Sequence, residues 1–119
     1  MMNPIKELQL AGTSLAKAEQ SIEVDDEVLA KDASRRAIRH AAKAVALTYI
    51  DESNIVDLRS SILMAMEHMP PKLWAEALRL LEIIRSLDEE NVQILVDLAR
   101  EAVEVAVGIV LTEAFSREG

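Results

Sequence analysis

The chain has 119 residues, half of them apolar, a formal net charge of −8 and no cysteine. That length suits one domain, and folding then hides roughly two-thirds of the unfolded surface without disulfide or metal staples. The composition excludes a thiolate nucleophile and cysteine metal sites, and the acidic balance disfavours a nucleic-acid coat, because phosphate contact depends on Lys and Arg.

Asn3-Pro4 opens a first helix with a capping residue and a proline at the first helical position. Ile5, Leu8, Ala11, Leu15, Ala18 and Ile22 then recur at helical spacing, and Gly12 weakens the middle by about 1 kcal/mol relative to alanine. The acidic run Glu23 to Glu27 either breaks this helix or starts the next, with Asp25 or Asp26 as a cap. A second helix is expected from about residue 27 to Ile50. Its predicted inner face is Val28, Leu29, Ala33, Ala37, Ile38, Ala41, Ala44, Val45 and Ile50, where the alanines let neighbouring backbones approach closely.

Asp51 to Asn54 reads as a turn, with Ser53 or Asn54 capping a third helix. Its stripe is Ile55, Leu58, Ile62, Met66 and Met69, and Pro70-Pro71 ends it. Pro71 suits the first turn of a fourth helix that buries Leu73, Trp74, Ala77, Leu78, Leu81, Ile84 and Leu87. Ser86 and Glu89 have the spacing of a capping box, with Asp88 a rival cap, for a fifth helix from about Glu90 to Phe115, roughly 40 Å long. The segment Ala102 to Leu111 is apolar nearly all round, which predicts burial on several sides: a central position in the bundle, extended by a homodimer interface. The fold class predicted is therefore all-α, one domain over residues 1–119. Its architecture is an antiparallel up-and-down bundle of about five helices ending in a long apolar C-terminal helix.

The apolar stretch Val105 to Leu111 is far short of the ~20 residues of a membrane span, and the first residues lack the plan of a signal peptide. A cytoplasmic location without a membrane partner is expected. With Tyr49, Trp74 and Phe115 as the only aromatics, a base-stacking surface has little support.

The candidate ligand- or partner-binding residues lie on the second helix. Arg35, Arg39 and Lys43 are four apart, with Arg36 and His40 beside them, and no acidic residue occurs between Asp32 and Asp51. Such a stripe can receive a phosphate, a nucleotide or an acidic protein surface. Its bland alternative is a solvated helix face paired with nearby acids. His68, just before Pro70-Pro71, suits a helix C-terminus. Neither histidine has glutamate three residues before it, so the Glu-x-x-His spacing of di-metal bundles is missing. There is no glycine-rich phosphate loop, G-x-S-x-G elbow or His-Glu-x-x-His motif, so no metal, cofactor or catalytic residue is assigned. Met64, Met66 and Met69 make the third helix adaptable, suited to core filling or to lining a promiscuous groove.

The helix order resembles HEPN domains, small helical bundles named for nucleotide binding in higher eukaryotes and prokaryotes. The resemblance lies in the amphipathic first helix, the Ala-rich run Ala33 to Leu47, the Asn54-Ile-Val-Asp-Leu58 start, and Val92 to Val110 with Leu98-Ala99-Arg-Glu-Ala102-Val103. It implies a homodimer working beside a nucleotidyltransferase-type partner or in a toxin–antitoxin pair. Ribonuclease members of the family carry Arg-x4–6-His near the start of the last long helix. Here that region reads Arg85-Ser-Leu-Asp-Glu-Glu-Asn91, without histidine. Arg35-x4-His40 has the spacing, but it lies in the second helix, where the two residues point about 140° apart. Three functions follow. The first is a non-catalytic HEPN-like accessory protein that binds a nucleotide or a protein through the basic stripe. The second is a helical scaffold with no nucleotide link. The third is a metal-independent ribonuclease using Arg35 and His40.

Overall fold

The computed structural model describes residues 3–118, and among them the regular structure is helical, with no strand. Asn3 accepts the Lys6 backbone N–H at 2.8 Å and Pro4 takes the first turn, so α1 runs Pro4–Glu23. Both readings of the following acidic run hold, at adjacent residues. Asp25 adopts the left-handed conformation (φ 58°) that ends the helix, and the Asp26 N–H closes back on the Ser21 carbonyl at 2.8 Å. Asp26 then accepts the Leu29 N–H at 3.1 Å and starts α2, Glu27–Tyr49.

The next boundaries differ from the sequence reading. Glu52–Asn54 form a 3-10 turn, leaving Ile55 outside any helix, and the cap of α3 (Leu58–Met66) is Asp57. Its carboxylate accepts the Ser60 N–H at 2.9 Å, and that bond holds it below the usual carboxylate range. A second 3-10 turn, Pro71–Leu73, leads into α4, Trp74–Arg85. No capping box forms at Ser86. Its hydroxyl donates to the Glu82 carbonyl, while the Glu89 carboxylate accepts the N–H groups of Glu90 and Asn91 inside the loop. Asn91 caps α5 (Val92–Glu118) through the Ile94 N–H at 3.0 Å.

The helix at the centre is α2, packed against α1, α3 and α5. Ala33, Ala37, Ile38, Ala41, Ala44 and Val45 are fully buried, as their spacing predicts. Val28 is 81% exposed, because it lies on the outward strip shared with Asp32 and Arg39. The expected central position of α5 is corrected. That helix buries one row, Leu95, Val96, Ala99, Ala102, Ala106, Ile109 and Val110, and leaves Ile94, Leu111 and Phe115 exposed. The predicted face of α4 holds at Leu73 and Ala77, which are buried, and at Leu81, Ile84 and Leu87, which pack partly buried against the core; Trp74 and Leu78 instead face outward, and Leu80 and Ile83 take the core positions.

α1 and α2 pair antiparallel, as do α3 with α4 and α4 with α5. α2 and α5 run side by side in the same direction, tied at one end by Lys31–Glu90 (3.3 Å) and at the other by the Tyr49 hydroxyl donating to Glu113 (3.2 Å). Arg79 of α4 donates to Glu101 of α5 (2.7 Å) and holds that carboxyl below its ordinary value, while Arg100 bridges to Glu19 of α1 at 3.0 Å. These ties are largely solvated, so apolar packing carries the stability. No helix among the described residues is long and apolar enough to cross a membrane.

Truncation separates the true inner face from the outward strip. Ile38→Ala should lower the unfolding free energy in urea by about 2–5 kcal/mol, and Val28→Ala should change it by no more than about 0.5 kcal/mol.

Candidate functional site

The basic stripe of α2 begins as five cations and near-cations on consecutive turns, but the neighbouring elements engage them differently. Arg35 leans toward the α4–α5 loop. Its guanidinium donates to the Leu87 carbonyl at 2.7 Å and the Glu89 carbonyl at 2.9 Å, and lies 3.6 Å from the Glu90 carboxylate. The planar fork of arginine suits two convergent carbonyls, here those of the turn that follows α4. Arg35 thus clamps a loop.

His40 leans the other way, toward α1. Its Nδ1 lies 2.6 Å from Oε2 of Glu7, a carboxylate residue only 4% exposed. An ionised carboxylate only accepts, so opposite one the imidazole donates from Nδ1. Sequence reasoning missed Glu7 because it falls beside the apolar stripe of α1. The available signal was the row Glu7, Ala11, Ala18, Ser21, whose small members face the alanines of α2 and whose first member therefore faces inward too.

Arg36 is held by Asp32, one turn earlier, at 3.0 Å, and its Nε is buried without a partner. Arg39 is exposed and Lys43 half-buried, and neither makes a hydrogen bond or ion pair with another described residue. The five candidates are therefore brought together only in part. Arg36, Arg39 and Lys43 share the outward strip, whereas Arg35 and His40 are turned to opposite flanks. No group of three or more potential metal-ligating His, Cys, Asp or Glu side chains occurs among the described residues.

A second feature was not singled out as a site from the sequence. α3 and α4 lie antiparallel on the outside of the bundle and leave a groove between them. Leu63 and Leu78 with Leu81 line one cavity of about 310 Å³, and Leu63 and Met66 with Trp74 line an adjoining one of about 300 Å³. Leu63, Trp74 and Leu78 are each 43–51% exposed. The indole N–H of Trp74 donates to the Met66 and Met69 carbonyls, both at 3.2 Å, which fixes the ring over the end of α3. The three methionines divide accordingly: Met69 is core, Met66 lines the groove and Met64 is exposed. The sequence signal was present in the spacing of Trp74, Leu78 and Leu81, which reads equally well as a core row.

The Glu7–His40 contact yields a direct test. His40→Ala strands a buried carboxylate and should destabilise the fold by about 1–3 kcal/mol at neutral pH, whereas replacing both residues by leucine should recover much of that loss. Chemical denaturation of the two variants beside the parent measures both terms. No protein-family model matches the sequence, and no curated protein or solved structure matches it significantly.

Proposed function

We propose that the protein is a non-catalytic helical interaction module that engages a protein partner through the groove between α3 and α4. The observation that carries this reading is the exposure of Leu63, Trp74 and Leu78 along two adjoining cavities that share Leu63. Contiguous exposed apolar surface of this kind marks interaction sites. The treatment of the stripe on α2 supports the same view. Arg35 serves the α4–α5 loop and His40 serves Glu7, so neither side chain is oriented toward a shared substrate position. A ribonuclease step needs a base and a phosphate-stabilising cation converging on one site.

A second reading retains the HEPN-like accessory role, with a nucleotide or an anionic partner on Arg36, Arg39 and Lys43. It is favoured by one observation, the exposure of Arg39 beside Lys43 with no acidic partner among the described residues. Self-association belongs with either reading. Leu111 and Phe115, one turn apart on α5, supply an apolar patch for a homodimer.

Trp74, the only tryptophan, reports on the groove directly. Adding an uncharged amphipathic helical peptide should shift its emission to the blue, while ATP or inorganic phosphate at millimolar concentration should leave the amide resonances of residues 35–43 in place. Phosphate-dependent shifts at Arg36, Arg39 and Lys43 with no response at Trp74 would favour the accessory reading instead.

A further inference from the structure

The groove carries a charge pattern that narrows its occupant. Its walls are two helical rows facing each other: Arg59, Leu63, Met66 and Glu67 on α3, and Trp74, Leu78, Leu81, Glu82 and Arg85 on α4. Because the helices are antiparallel, Arg59 and Arg85 meet at one end and Glu67 lies with Trp74 at the other. Glu82 is already engaged by Arg79 at 3.0 Å. Arg59 and Arg85 form no ion pair or hydrogen bond with another described residue. The nearby Asp57 carboxylate is influenced by Arg59 but is occupied by the Ser60 N–H.

Arg59 is also poorly placed for its own helix. It sits in the first turn of α3, where the helix dipole disfavours a cation. Two unpaired guanidiniums thus border an apolar channel in a protein whose net charge is −8. Guanidinium forks bind carboxylates in pairs of parallel hydrogen bonds, and they do so best beside surface that excludes water.

Resting on the interaction-module reading, we infer that the occupant is an acidic amphipathic helix of a partner protein, its apolar stripe seated on Leu63, Leu78 and Trp74 and its carboxylates facing Arg59 and Arg85. A helix suits the channel because it satisfies its own backbone groups, whereas an extended segment would lay unpaired N–H and C=O groups on apolar walls. The rows span about 12 Å on α3 and about 16 Å on α4, room for two to three turns. A second copy of this chain placed groove against groove would bring two concave surfaces together and leave a void, contrary to the density of packed interfaces.

The test uses the full chain and three stapled peptides of about 14 residues, a length at which an unstapled helix is marginal. They share one leucine stripe and carry glutamate, glutamine or lysine at the flanking positions. Trp74 emission gives the affinities. The glutamate peptide should bind about tenfold more tightly than the lysine peptide. Arg59→Ala with Arg85→Ala should erase that preference while leaving the glutamine peptide within about twofold of its parent affinity. Leu78→Asp should abolish binding of all three. These positions are exposed, so unchanged melting curves will verify that each variant folds.

Equal affinities, or preference for lysine, would overturn the acidic occupant while leaving the groove in place. No Trp74 response to any peptide would overturn the interaction-module reading itself. A concentration-dependent dimer that Leu78→Asp dissolves would assign the groove to a second copy and overturn the partner-helix proposal.

Discussion

Close approach of α2 to its neighbours is the constraint from which the remaining structure follows. Ala33, Ala37, Ala41 and Ala44 are fully buried along α2, met by Ala11 and Ala18 on α1 and by Ala99, Ala102 and Ala106 on α5. Small side chains bring helix axes together, and dispersion contacts then accumulate along the whole length of the interface. Ile38, Ile62, Leu80, Ile83, Leu95 and Ile109 fill the spaces that alanine leaves. With few aromatics available, this division of labour is how a chain of this composition reaches a packed interior.

That packing also decides the fate of the charges on α2. A residue near the edge of a tightly packed helix is within reach of the adjoining element. Arg35 accordingly finds the carbonyls of Leu87 and Glu89, and His40 finds Glu7. Only the middle of the outward strip, around Arg39 and Lys43, stays clear of the neighbours. A cluster that looks uniform on a helical wheel is therefore divided into a loop clamp, a partly buried pair and a solvated remainder.

The legible part of the fold was the part governed by local chemistry. Asn3-Pro4 and Asp26 act as helix starts, and the rows through Ala33 to Val45 and Ala11 to Ala18 face inward. What the sequence concealed depended on tertiary competition. The row Trp74, Leu78, Leu81 and the row Leu73, Ala77, Leu80 are both apolar, and only contact with α2 and α5 selects the second for the core. The same ambiguity hid the groove. The valine-rich segment of α5 looks more buried in sequence than the alanine-rich α2, although close packing favours the smaller side chains. Of the candidate site, the positions were legible and the partners were not, since Glu7 and Leu87 are remote in sequence.

The layered arrangement implies unequal local stability: a tight assembly of α1, α2 and α5, with α3 and α4 resting on one side and offering their groove. Native-state hydrogen exchange followed residue by residue measures this most directly, because amides in the most deeply packed element exchange only through global unfolding. The account predicts the slowest exchange in α2 between Ala37 and Val45, with faster exchange in α3 and α4. Slowest exchange in α5 between Ala102 and Val110, with α2 opening earlier, would contradict it.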